Sequence, residues 1–213
     1  MRRRKMKLGP ALVGDHAHGA SLDAISQQAE GCQRCDLYKY AKQLVFGEGP
    51  RDARLILVGE QPGDREDIEG RPFVGPAGNL LARCLEEAGI ERTECYVTNA
   101  VKHFKYEQRG KRRIHSKPNA GEIQSCSWWL GAEIEKIHPE VVVALGATAA
   151  RTLLGNSVKV TRDRGRAIHA GQDLEILVTI HPSYLLRIRE RDAAQRERER
   201  FVEDLKIAAS LRS

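Results

Sequence analysis

The sequence predicts a mixed α/β domain of three layers, with helices on both faces of a central, mainly parallel, four-stranded sheet. Two patterns carry this expectation: short apolar runs that end in glycine or polar residues, and helix-periodic stretches between them. Residues 1–20 hold glycine, proline and two histidines without periodicity and read as a flexible N-terminal segment ahead of a single domain over 21–213. Ser21 or Asp23 caps a short helix running to about Glu30, and the knuckle Cys32-x-x-Cys35 follows Gly31. The first strand is Arg54-Leu-Ile-Leu-Val-Gly59, a buried run feeding a loop. Further strands are expected over 95–98, 141–145 and 174–180, and helices over 77–89, 120–138 and 147–154. A final helix over about 193–209 brings Phe201, Leu205 and Ala208 to one side, behind a front half of arginine and glutamate that reads as solvated.

A chain of 213 residues suits one well-cored domain. Lysine and arginine number 35 against 29 acidic residues, giving a net charge of +6, which permits a phosphate-rich partner without establishing one. The distribution says more. Between Lys102 and Lys117 stand seven lysines and arginines and one acid, forming a basic loop over 105–117. The basic stretch Arg2 to Lys7 reads as a charged terminus with no assigned task. No run approaches the roughly 18 apolar residues of a membrane span, and the start lacks a secretory apolar core, so a cytoplasmic protein is expected. Five cysteines cannot all pair within one chain, and in a reducing compartment Cys32-x-x-Cys35 is a metal or redox feature.

Ligands of an open parallel sheet sit beyond the carboxyl ends of its strands. Gly59-Glu-Gln-Pro-Gly63 follows the first strand, Asn99 the second, Gly146 the third and His181-Pro-Ser183 the fourth, so Gln61, Asn99 and His181 should converge on one rim. The glycine-rich turn lacks the spacing of a dinucleotide or phosphate loop, and taken alone it is equally a structural turn with Glu60 exposed. Phe73, in Arg71-Pro-Phe-Val-Gly-Pro-Ala-Gly78, sits among turn residues; it suits base stacking and, on its own, a core cover better. His115 on its own reads as a surface or DNA-contacting histidine.

Together, Gly-Glu-Gln-Pro-Gly, Arg-Pro-Phe-Val-Gly-Pro-Ala-Gly, Thr98-Asn99 and His181-Pro182-Ser183 resemble the uracil-DNA glycosylase superfamily, most of all its iron–sulfur family 4. Lys111-Arg-Arg-Ile-His115 is similar to the insertion of the UdgX group, whose members form a covalent complex with uracil-containing DNA. The likeness runs from about Leu22 to Ala209 and implies a uracil-DNA glycosylase-like fold. It implies that Phe73 stacks on a flipped uracil, that Asn99 reads the pyrimidine edge, and that His181 stabilises charge on the departing base. Gln61 stands where the most efficient uracil glycosylases carry a water-positioning aspartate, and glutamine is a poor general base. Glu60 is left near the sugar, either orienting His115 or stabilising the anomeric carbon. His115, whose neutral imidazole carries a lone pair, is the implied nucleophile that captures that carbon. Arg109, Lys111, Arg112, Arg113 and Lys117 are expected at phosphates, with Ser183 also at DNA.

Alone, the Cys32/Cys35 pair fits zinc, an iron cluster or thiol redox chemistry. Cys84 and Cys95 lie in apolar patterns and read as packing residues, as Cys126 would. The resemblance reverses this for Cys126 and, with His103 standing where ordinary family 4 members place a cysteine, implies a [4Fe–4S] cluster on Cys32, Cys35, His103 and Cys126; zinc stays open on the same donors. The implied activity is uracil excision followed by capture through His115, with single-stranded DNA favoured and a monomer expected. A conventional glycosylase that leaves a free abasic site and a non-catalytic damage-binding protein are the alternatives.

Overall fold

The computed structural model describes residues 4–9, 12–13, 19–171 and 173–212. Four strands of five residues form the centre of the sheet: β2 (Leu55–Gly59), β3 (Cys95–Asn99), β6 (Val141–Leu145) and β8 (Glu175–Thr179), every residue of them buried. They pair in parallel in the order β8-β6-β2-β3. Two short strands at the β8 edge, β1 (Arg4–Lys5) and β7 (Ala167–His169), enlarge the sheet to six, where four were expected. β7 runs antiparallel to β8, and β1 lies parallel to β7. At two and three residues neither is long enough to show a period. Part of the lead-in over 1–20 is therefore built into the sheet, while residues 1–3, 10–11 and 14–18 of it lie outside the described residues.

Alternation along the strands divides the core into two faces. Ile56, Val58, Val142, Ala144 and Ile176 pack with Leu130, Ile134 and Ile137 of α4 (Ala120–Ile137) and with Ala149 and Leu153 of α5 (Ala147–Leu154). Leu55, Leu57, Val97, Val143 and Leu177 face the other way, onto Leu81 and Leu85 of α3 (Pro76–Glu87) and Phe201 and Leu205 of α8 (Arg191–Ser210). Cys84 and Cys95 belong to this second face, as their apolar neighbours predict. The arginine- and glutamate-rich front of α8 holds no buried residue before Phe201.

α1 (Leu22–Glu30) begins where Ser21 Oγ accepts the Ala24 amide at 3.2 Å, and its Ile25 and Ala29 reach a third cluster with Phe46, Val101 and Trp129 on the outer side of α4. Asn119 and Glu122 cap α4 reciprocally, at 2.9 and 2.7 Å. The segment expected as a basic loop is a hairpin, β4 (Tyr106–Arg109) and β5 (Arg112–His115), turning at Gly110 with φ of 58°. Its ends close on each other where the Ser116 amide donates to the Lys105 carbonyl at 3.0 Å.

Candidate active site

At the carboxyl ends of β2, β3, β6 and β8 opens a cavity of about 890 Å³, whose walls include Glu60, Phe73, Asn99, His115 and His181. The loop after β2 and the loop after β3 are joined by their backbones: the Ala100 and Val101 amides donate to the Gly59 and Glu60 carbonyls at 2.9 and 3.0 Å. Glycine at position 59 is required by closeness, because a Cβ there would lie 2.3 Å from Asn99 Oδ1 and 2.8 Å from Phe73 Cζ.

Phe73 holds a left-handed backbone, with φ of 57°. For a bulky residue this conformation costs about 1 kcal/mol or more and needs outside support. Support comes from Glu66, in α2 (Asp64–Glu69), whose carboxylate accepts the Gly63 amide at 3.1 Å and the Gly75 amide at 2.9 Å and so staples the two glycine turns together. A Cβ on Gly78 would stand 1.8 Å from the Phe73 carbonyl oxygen, so the entry of α3 also admits only glycine. The Phe73 ring then stacks beside His181, centroids 6.2 Å apart and planes 27° from parallel.

His181 precedes α7 (Pro182–Leu185) and takes the Ser183 amide on Nδ1 at 3.1 Å, with Ser183 Oγ 2.8 Å from the same nitrogen. An amide only donates, so Nδ1 is the unprotonated nitrogen and Nε2 carries the hydrogen. Burial, aided by the charges of Arg187 and His115, lowers the imidazole to about 4. The ring is a neutral donor at ordinary pH. Ser183, expected at DNA, places its amide and hydroxyl on this histidine.

Glu60 lies between two partners. Its Oε2 accepts the Thr148 hydroxyl at the start of α5, and its Oε1 stands 3.4 Å from His115 Nε2 on the hairpin. Gln61, although at the cavity wall, is 7% exposed, and its carboxamide is used elsewhere: Nε2 donates to the Lys105 and Ser116 carbonyls at 3.1 and 3.0 Å, and Oε1 accepts the Lys105 amide at 3.2 Å. It pins the neck of the hairpin at the wall of the cavity where its catalytic and uracil-binding tasks are expected.

The basic residues of the hairpin separate into two groups. Arg113, expected at phosphate, is 13% exposed and turned inward to Asp64 at 2.6 Å and to the buried Asp67, with its guanidinium 5.4 Å over Phe104 and 5.2 Å over Tyr106. Lys111, Arg112 and Lys117 remain exposed, and Arg109 meets Glu107 at 3.1 Å.

Behind Asn99 lies a buried ion pair that the sequence reading missed. Lys102 Nζ meets Glu133 at 2.6 Å with neither side chain exposed, and it also donates to the Asn99 carbonyl at 2.9 Å. Glu133 accepts in addition from Tyr96, Thr98 and the Gly47 amide. Breaking such a pair by removing one partner costs about 3–5 kcal/mol. Its only sequence signal is a glutamate set among Leu130, Ile134 and Ile137 on α4.

Cys32, Cys35 and Cys126 share the cluster between α1 and α4. Trp129 Nε1 donates to Cys32 Sγ and the Lys102 amide to Cys126 Sγ, both at 3.1 Å. Arg34, inside the knuckle, sits 4.5 Å over Trp128. Burial pushes the Cys126 thiol up to about 12, so it keeps its proton unless a cation offsets the charge. Among the described residues, no three histidine, cysteine or acidic side chains converge on one ion, and the charged group beside His103 is Asp67. The expected set Cys32, Cys35, His103 and Cys126 is thus not drawn to a single point; the N–H donors on two sulfurs are the feature that suits cluster thiolates. No helix among the described residues is long and apolar enough to cross a membrane.

Residues 46–206 match the uracil DNA glycosylase superfamily. The chain is 39% identical over 190 residues to a type-4 uracil-DNA glycosylase of Thermotoga maritima, spanning 89% of this chain and 93% of that protein. Similar proteins of the same description occur in Sulfurisphaera tokodaii, 35% identical over 78% of this chain and 76% of the relative, and in Saccharolobus solfataricus, 41% identical over 59% and 56%.

Proposed function

Because the chain belongs to the uracil-DNA glycosylase superfamily, we propose that it excises uracil from DNA and then captures the exposed sugar through His115, in the manner of the UdgX group. One observation carries the second half: His115 Nε2 stands 3.4 Å from Glu60 Oε1 in the same cavity as Phe73, Asn99 and His181. A flipped uracil stacks on Phe73 and pairs its edge with Asn99. As the bond from the anomeric carbon to N1 breaks, its electron pair leaves with the base, and the Nε2 hydrogen of His181 binds the resulting anion. A lone pair of the His115 imidazole then bonds to the anomeric carbon; the imidazolium so formed balances the charge of the uracil anion. Glu60 stands beside the capturing imidazole, its Oε1 3.4 Å from His115 Nε2. Gln61, held at the hairpin neck, activates no water, so capture competes with hydrolysis.

Cys32, Cys35 and Cys126, with His103 as fourth ligand, are assigned to a [4Fe–4S] cluster. The N–H donors on Cys32 and Cys126 support the assignment. Held by these residues, such a group would tie the knuckle to α4, while excision is assigned to the side chains of the cavity. The protein acts as one domain over 21–213 and as a monomer on single-stranded DNA, which needs no base pair broken, in the cytoplasm where thiols stay reduced.

A second reading, a type-4 glycosylase that releases uracil and leaves a free abasic site, is favoured by the identity to the Thermotoga maritima protein. Heating the protein with end-labelled uracil-containing single-stranded DNA in denaturant separates the two on a gel. A protein-sized shift is expected, lost in His115→Ser while uracil release continues. An unshifted strand that breaks only in alkali would establish the second reading, and an intact alkali-resistant strand would remove both.

A further inference from the structure

Thr148 lies outside the motifs that carry the resemblance, yet it is 3% exposed and gives its hydroxyl to Glu60 at the centre of the site. We propose that Thr148 is a positioning residue for capture: by holding Glu60 Oε2 it fixes the rotamer that turns Oε1 toward His115. The inference rests on the proposed capture by His115.

Three features support it. A glutamate side chain rotates about three bonds, and the loop carrying it fixes only its backbone. The Glu60 carbonyl is fixed by the Val101 amide, so what remains free is the carboxylate, and the Thr148 hydroxyl donates to it. The hydroxyl itself is well placed, because α5 starts from Gly146, whose φ of 93° and amide bond to the Thr179 carbonyl at 2.9 Å set the helix against the β8 end beside His181. Thr152 Oγ1 adds a bond to the Thr148 carbonyl at 2.9 Å. A helix end thus aims the carboxylate, and the carboxylate meets a histidine carried on the hairpin. The task left open for Glu60, orienting His115 or stabilising the sugar, is resolved toward the first: the carboxylate spans from Thr148 to the imidazole.

Thr148→Val keeps the shape and removes the hydroxyl. On uracil-containing single-stranded DNA the rate of adduct formation should fall roughly tenfold or more, the scale of a lost hydrogen bond to a charged group. Thr148→Ser, which keeps the hydroxyl, should restore it to within about threefold, a rescue that packing alone would not give. In a His115→Ser background, where only release is read, adding Thr148→Val should leave uracil release within about twofold. Thr148→Ala repeats the hydroxyl deletion if valine disturbs folding, with thermal melting of each variant as the check. Capture by Thr148→Val at the wild-type rate, or a parallel fall in release in the His115→Ser background, would overturn the positioning role. A wild-type chain that forms no adduct would instead overturn the capture reading itself.

Discussion

His181 shows how one side chain is tuned by its neighbours. Its Nδ1 is committed to the Ser183 amide, and burial with Arg187 and His115 nearby lowers its pKa to about 4. In the unfolded chain the same imidazole titrates at about 6.5. Between these values the folded state binds fewer protons than the unfolded state, so stability is full above about 6.5 and is lost as pH falls through about 4. In His181→Gln the decline over that window should be shallower, measured by urea unfolding at a series of pH values. The histidine itself was legible in the sequence, since it follows a buried strand. Its tautomer was not, because that depends on which donor faces it. The partners of Ser183 and Gln61 were hidden for the same reason: a polar side chain has several partners within reach, and only the fold selects one.

At the scale of elements, the four central strands and the long helices were legible because each holds an unbroken apolar run or a helical period. β1 and β7 were not; two or three residues carry no period, and they are strands only because β8 offers an edge. The hairpin was hidden by its charge, which reads as a solvated loop until Arg113 is seen to join it to α2. That arginine bridges Asp64 and the buried Asp67, so Arg113→Ala leaves a carboxylate without its partner. A loss of about 2–4 kcal/mol is expected from chemical denaturation. Limited proteolysis should then cut within 106–115 in the variant and spare that segment in the wild type. The cavity was legible as a rim of Asn99 and His181, while Thr148 was absent from that reading because it acts on a residue 88 positions away in the chain.

Across the whole molecule, positive charge exceeds negative by six, yet many cations are spent internally. Lys102 and Arg113 face carboxylates, while Lys111 and Arg112 stand exposed at the hairpin tip, where phosphate contact is proposed. Replacing both by alanine should lower the slope of log affinity against log salt for single-stranded DNA by about 1.4, at roughly 0.7 per contact, as read by fluorescence anisotropy. Arg113→Ala, by contrast, should leave that slope nearly unchanged while lowering stability. The neck of the hairpin has a wider meaning. Lys105 and Ser116 are bonded to each other, and Gln61 clasps both, so everything between them is an accessory whose ends already meet. An ancestor could gain or shed such a piece without shifting β3 or α4, provided the buried Asp67 of α2 kept a cationic partner in place of Arg113. Trapping a broken sugar and merely releasing a base would then be two trades of one chassis, exchanged by a small graft.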